Sequence, residues 1–413
     1  MGASLLKQLS AVQVPHKPQV DTSLESAIVE AAATADGNIE SLSDIAATVD
    51  QHVGEISTGI CVADSLTDVV DNTIALYGEG GIDEQGAELL RISVESILKV
   101  GGVNIPAEMI APSFESVTGN YSTEVAAQKG NVISRIMTWL HAALQSISES
   151  MKAFWLRLTT SSKSVEDYAK KVSEKVKAIK GDAKDAEGTI SVGGNALWLT
   201  GRSDHISKPD RHVVETVARF EDFVVEWRNL WGKIIDFQFP TPLSDPKKME
   251  ELNTKLHAVA VDTVKGTKPV KIDITVGHAI DLKPGAGEVP MLAATAKVVV
   301  NVTVKDKTAP VLTKDEMKHG IDTVLEAFGV LRKLEKDMEK VQETTTRVSR
   351  LTKSVSVKGT DTPIKEAELR QTLRALSKAC GFASWGWTNA VPYYLKTLKA
   401  CVKYIDASAS RYS

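Results

Sequence analysis

The stretch "NVISRIMTWLHAALQSISESMKAFWLRL", residues 131–158, carries the clearest helical pattern in the chain. Its apolar side chains recur at intervals of three and four residues, which places them on one face of an α-helix. We therefore predict a core-facing helix of a bundle, which breaks near residues 159–164 and resumes to about residue 180. The apolar stripe consists of Ile133, Ile136, Met137, Leu140, Leu144, Ile147, Met151, Phe154, Trp155 and Leu158.

Helical spacing dominates on both sides of this stretch. Apolar residues recur at helical intervals through much of residues 21–100. A similar pattern predicts one long charged helix over residues 313–350, which a capping box formed by Thr313 and Glu316 would open. We expect the last helix to begin near Pro392, because proline is favoured in the first turn of a helix.

Residues 186–310 show a different pattern. Two short strands are predicted around Gly193, and two helices follow, the first of them entered near Pro209. Residues 269–282 and 293–306 then alternate at the strand period, which predicts a long hairpin. We therefore predict a mainly α fold with an α+β insert, in which helical bundle segments flank a small antiparallel sheet with two helices.

These patterns divide the chain into four parts. The first is an acidic helical head, and the second is an amphipathic helical segment. The third is the α+β module, and the fourth is a C-terminal helical region that we expect to pack against the second part. Their predicted boundaries are 1–124, 125–185, 186–310 and 311–413.

Charge is distributed unevenly along the chain. The net charge of the 413 residues is −4, but residues 1–124 contain nineteen acidic and four basic residues, a net charge of −15. The remaining residues therefore carry +11. Such an asymmetry suggests a basic part that meets polyanions and an acidic part that masks it. The simpler alternative is that the acidic head only keeps the chain in solution.

The junction between the acidic and basic parts has its own signal. Residues 112–131 contain few large apolar side chains, and they contain the pattern small-x-Glu twice, ending at Glu115 and Glu124. The same pattern occurs elsewhere at about the chance rate. We nevertheless expect these two copies to lie in an open, extended joint, where a protease can reach them.

Sequence motifs of enzymes are absent from the chain. No P-loop, GxGxxG, HExxH or GxSxG motif is present, so we predict no cofactor and no metal site. One alternative stays open, an enzyme or host-modifying effector whose site lies in the α+β module around Trp198, His205 and His278. The other alternative is a purely structural helical interaction protein.

The cysteines and two of the tryptophans are most simply explained as buried structural residues. The chain has three cysteines and no CxxC pair, which indicates a reducing compartment and buried thiols. Trp385 and Trp387 flank a glycine and could stack on bases, but we favour an aromatic plug that packs a turn between helices into the core. No apolar run is long enough to cross a bilayer, so we expect no stable membrane insertion.

Two further stretches carry a family resemblance. The sequence "LLRISVESILKVGGVNIPAEMIAPSFES" leads into "GNVISRIMTWLHAALQSISESMKAFWLRLTTSSKSVEDYAKKV". This arrangement resembles the internal head proteins, or virion structural proteins, of giant phiKZ-like tailed bacteriophages. The matching helix positions are Ile136, Trp139, Leu140, Trp155 and Leu158. The resemblance covers about residues 85–180 and 390–413.

The resemblance implies a location and a processing step. Members of this family are packed inside the capsid with the genome, and a phage prohead protease trims their heads after small-x-Glu. Some members are ejected into the host. The implied processing sites here are Glu115 and Glu124, with Glu25 as an earlier one. The implied partners are the prohead protease and other capsid or inner-head proteins, in the virion interior and, during assembly and after ejection, in the host cytoplasm.

Charge and resemblance together predict a mechanism. A cut after Glu124 would remove −15 and leave a body of +11, which could lie against double-stranded DNA without reading its sequence. Basic residues of the helix over 332–350 and of the helical region 152–180 would make the phosphate contacts. In the second region these residues are Lys152, Arg157, Lys170, Lys171, Lys175, Lys177 and Lys180.

Overall fold

The computed structural model describes residues 24–77, 121–179, 188–201, 204–237, 270–285, 291–357 and 366–412, with short helical stretches at 88–89, 92–93, 96–97, 247, 250–251 and 254–255. The helices of the main ranges are α1 (Leu24–Tyr77), α2 (Tyr121–Ala178), α3 (Ala196–Leu199), α4 (Pro209–Ile235), α5 (Lys314–Lys333), α6 (Glu335–Val357) and α7 (Glu366–Ala409). The strands are β1 (Thr189–Ser191), β2 (Val270–Thr275), β3 (His278–Lys283), β4 (Thr295–Val300) and β5 (Thr308–Pro310).

Helix α2 runs without a break through the quoted stretch and beyond it. The predicted interruption at residues 159–164 is wrong, because hydroxyl groups there hydrogen-bond to backbone carbonyls while the chain stays helical. The hydroxyl of Ser161 donates to the backbone carbonyl of Asn38 on α1, at 2.9 Å, and that of Ser164 donates to the carbonyl of Ser161. Because α2 begins at Tyr121, residues 121–131 are helical, and the predicted open joint is wrong over that part.

The three longest helices, α1, α2 and α7, lie against one another, and α6 packs on both α2 and α7. The apolar face of α2 faces inward as predicted, with Leu140, Leu144, Ile147 and Phe154 fully buried. Side chains from all of these helices form one continuous core with α4 and α5. The prediction of a mainly α fold with helical bundle segments and a small β insert is confirmed.

The β structure differs in detail from the prediction. Strands β2, β3 and β4 form an antiparallel sheet in that order, and β1 pairs with β5 in a separate two-stranded sheet. The predicted long strand at 269–282 is two strands, because the chain reverses at Val276 and Gly277, where the glycine has a φ of +124°. A short 3₁₀ turn, Gly193–Asn195, and α3 replace the second strand predicted after Gly193.

The C-terminal helices also correct two predictions. The region predicted as one helix is α5 and α6, separated at Leu334, whereas the capping box of Thr313 and Glu316 is present as predicted. Helix α7 does not begin at Pro392 but contains it. Most residues around this proline are buried, so we attribute its place inside a helix to core packing that outweighs the lost hydrogen bond.

Aromatic side chains fill the space between α4 and α7. Trp227, Phe223 and Trp387 are fully buried and lie edge to face or stacked on one another. The prediction that Trp385 and Trp387 pack into the core is confirmed, but they lie within α7 and not in a turn. Cys380 and Cys401 are buried thiols, whereas Cys61 is exposed, contrary to the prediction for that residue.

Candidate functional site

Helix α1 is strongly acidic along its whole length. Its 54 residues include ten Asp and Glu and no Lys or Arg, so the helix carries a net charge of −10. These residues are Glu25, Glu30, Asp36, Glu40, Asp44, Asp50, Glu55, Asp64, Asp68 and Asp71. We call its contacts with α2 and α7 the α1 interface.

An apolar stripe on α1 forms the centre of the α1 interface. Eight large aliphatic side chains are buried: Ile28, Ile39, Leu42, Val49, Val53, Ile56, Ile60 and Val62. A fully buried side chain of this size contributes about 1.5–3 kcal/mol, so the eight side chains together contribute at most about 12–24 kcal/mol. The acidic helix is therefore part of the protein core and not a separate appendage.

Asp36 makes the first ionic contact of the α1 interface. Its carboxylate pairs with the ammonium group of Lys403 on α7, at 2.9 Å, and with that of Lys399 one turn earlier. Burial, followed by the positive charge of Lys403, lowers the pKa of Lys399 to about 8. One carboxylate thus lies between two largely buried cations that would repel each other without it.

A second ionic contact lies near the start of α1. The ammonium group of Lys175 on α2 pairs with Glu25 at 2.8 Å and with Asp406 on α7 at 2.9 Å, and it donates to the hydroxyl of Ser410. Burial alone would lower the pKa of Lys175, but the bonds to Glu25 and Asp406 outweigh it and raise that pKa. This lysine therefore holds three helices together as a cation.

Further polar contacts follow the length of α1. The indole Nε1 of Trp385 donates to the carboxylate of Asp50 at 2.7 Å, and Lys171 donates to the backbone carbonyl of Ala27 at 3.1 Å. Two cavities, of about 460 and 450 Å³, lie where α1 meets α7. Lys396 lines the first cavity and rests on the ring faces of Trp198 and Tyr393.

The structure separates the predicted DNA contacts into two groups. Lys152, Lys170 and Lys177 are exposed, and Arg157 is half-buried. Lys171 and Lys175 bond to α1, and Lys175 is only 8% exposed, so α1 occupies both ammonium groups while it is in place. DNA contact by all of these residues stays a prediction for the body without α1. Lys180 lies outside the described residues.

The predicted processing sites also differ in their surroundings. Glu115 lies outside the described residues. Glu124 is in the first turn of α2, and Glu25 is the second residue of α1, where it pairs with Lys175. A protease needs an extended substrate, so cutting at Glu124 or Glu25 requires local unwinding of a helix end. Cleavage at all three residues stays a prediction.

The alternative site in the α+β module is only partly assembled. Trp198 stacks on His278 with ring centroids 4.7 Å apart, whereas His205 is exposed beside Asp306. Burial, and then the positive charges of His212 and Lys396, lower the pKa of His278 to about 4, while its Nδ1 bonds to Thr275. We interpret this cluster as packing between the sheet and α7.

Sequence reasoning missed the basic residues of α7. Lys396, Lys399 and Lys403 are spaced by three and four residues, which places them on one face of a helix. That spacing was available as a signal, but Asp36, the acidic partner of Lys399 and Lys403, is more than 350 residues away in sequence. Only the packing of α1 on α7 brings the two together.

The described parts of the chain contain neither a cluster of metal ligands nor a membrane-spanning helix. No group of three or more His, Cys, Asp or Glu side chains there could hold a metal ion. None of the helices described is both long and apolar enough to span a bilayer.

Comparison with known proteins gives one match. The model of the phiKZ-like phage internal head proteins matches residues 19–236, slightly more than half of the chain. The match includes α1, α2 and α4, and therefore both the acidic helix and the helix with the quoted stretch. Searches of curated proteins and of solved structures found no match.

Proposed function

Because the chain belongs to the phiKZ-like phage internal head proteins, we propose that it is a non-enzymatic virion structural protein packaged beside the genome with an acidic leader that is later cut away. Family membership places the protein inside the phage head, among capsid-associated partners. In this proposal the phage prohead protease cuts after Glu115 or Glu124. The basic body then associates with double-stranded DNA, and it enters the host when the genome is ejected.

The observation that carries the proposal is the charge of the α1 interface. Ten acidic residues and no basic residue lie on one helix, and that helix is seated against Lys175, Lys399 and Lys403. An acidic surface laid over basic side chains lowers the attraction of the protein for phosphates. The uncut chain, with a net charge of −4, would therefore assemble without condensing on nucleic acid.

The masking step can be tested without disturbing the fold. Glu30 and Asp44 are exposed on α1, so the double variant Glu30→Gln, Asp44→Asn raises the net charge from −4 to −2 at little cost in stability. We expect it to bind duplex DNA more tightly than the unchanged chain at low salt, with a difference that disappears as salt increases. Equal binding by the two proteins at every salt concentration would contradict the masking proposal.

A matched control separates masking from a general effect of charge. Asp315 is exposed in the first turn of α5, on a different part of the molecule. The double variant Asp315→Asn, Asp322→Asn makes the same change in net charge outside α1. We expect a smaller gain in DNA binding from this pair, because the proposal assigns the masking to α1.

A further inference from the structure

The contacts that hold α1 in place do not need the chain connection between α1 and α2. The apolar stripe of α1 is buried against α2 and α7, and both ionic contacts join α1 to residues beyond position 124. A cut after Glu115 or Glu124 removes none of them. The body therefore has a groove between α2 and α7 that binds α1, whether or not the two are still covalently linked.

We propose that α1 stays bound to the body after the leader has been cut, so that cleavage and exposure of the basic surface are two separate steps. This inference rests on the proposed function for its biological setting, although its test does not. A long helix with one buried aliphatic face and acidic groups matched to lysines has the features of a helix docked in a groove.

The charges make the two steps distinguishable. The body from residue 125 onward carries +11 and the leader that contains α1 carries −15, so a cut protein that retains its leader keeps the net charge of −4. The strong cation expected from simple removal of the leader arises only when α1 leaves. Departure of α1 would also uncover Lys175, Lys399 and Lys403, which are largely hidden while it is bound.

The test uses the full-length chain with an engineered cut. We would insert the recognition sequence of a site-specific protease between residues 110 and 111, cleave to completion and examine the product by size-exclusion chromatography and native mass spectrometry. The expected result is one particle that contains both fragments and binds duplex DNA within about twofold of the uncut protein. Two separate peaks under native conditions would overturn the inference.

A matched pair of variants tests whether the apolar stripe is responsible. Leu42 is fully buried on α1, whereas Val29 is 68% exposed on the same helix. After the same cut, Leu42→Asp should release the N-terminal fragment and raise DNA binding at low salt at least tenfold, and Val29→Asp should do neither. Release by both variants, or by neither, would contradict the role of the stripe.

A second measurement remains available if Leu42→Asp does not fold. The cut protein without other changes is mixed with an excess of labelled peptide covering residues 24–77, and incorporation of the label is followed over time. Slow exchange, over hours, is expected for a seated helix, and complete exchange within the mixing time would overturn the inference. Because the cut is engineered, these outcomes do not depend on whether the phage protease processes the protein.

Discussion

Gly386 provides the sharpest test of the packing between α4 and α7. A Cβ atom at this position would lie 2.0 Å from Cζ2 and 2.2 Å from Cε2 of Trp227, far inside van der Waals contact. The indole cannot move aside, because it is fully buried between Phe223 and Trp231 and donates its Nε1–H to the carbonyl of Ala383 at 3.2 Å. Gly386→Ala must therefore displace a helix or a rigid ring.

The size of the effect follows from two opposing contributions. Overpacking of a dense core costs about 1–3 kcal/mol and sometimes more, and a contact near 2 Å lies at the upper end of that range. Replacement of glycine by alanine inside a helix by itself stabilises the folded state by about 1 kcal/mol. We therefore expect Gly386→Ala to lower the free energy of unfolding by about 2 kcal/mol or more.

The assay is urea unfolding followed by circular dichroism at 222 nm, with Gly54→Ala as the control. Gly54 lies within α1, and a Cβ atom there would meet nothing within 4 Å. We expect this control to raise the free energy of unfolding by about 0.5–1 kcal/mol. If Gly386→Ala were as stable as the unchanged protein, the close seating of Trp227 on α7 would be refuted.

Three further predictions concern the other parts of the structure. The folded state holds the pKa of His278 near 4, below the ordinary 6.5, so between these pH values the unfolded chain binds more protons than the folded one. The free energy of unfolding should therefore fall by up to about 3 kcal/mol as the pH drops from 6.5 to 4. Unfolding measured at several pH values should show a flatter pH dependence for His278→Gln than for the unchanged protein. Asp36→Asn leaves two largely buried lysines without their acidic partner and should lower the free energy of unfolding by about 1–2 kcal/mol, whereas Asp44→Asn on the exposed face should change it by less than about 0.5 kcal/mol. In salt titrations of DNA binding, Lys177→Ala should reduce the slope of the log binding constant against log salt concentration by about one unit. Lys175→Ala, at a buried position, should lower the free energy of unfolding and leave that slope unchanged.

Local sequence signals predicted much of the helical fold. The stripe of α2, the entry of α4 at Pro209 and the capping box of α5 each depend on residues within a few positions of one another, and all three are present. Such signals act through the geometry of a single helix, so the sequence is sufficient to identify them.

The predictions that failed depend on contacts between distant parts of the chain. Pro392 would normally mark the start of a helix, but α7 continues through it within a largely buried surround. The hydroxyl-rich run at 159–164 would normally weaken a helix, but Ser161 bonds to α1. The candidate site shows the same division, because the acidic charge of α1 is visible in the sequence, whereas the pairing of Asp36 with Lys403 requires the folded chain.

The account depends on an acidic leader that is separated covalently from the basic body in the assembled particle. N-terminal sequencing and intact mass of this protein, extracted from purified phage particles, test that claim directly. We predict that the body begins at Ser116 or Val125. Recovery of the protein only as the uncut chain, with its N-terminus near Met1 and the full mass of 44.6 kDa, would contradict the account.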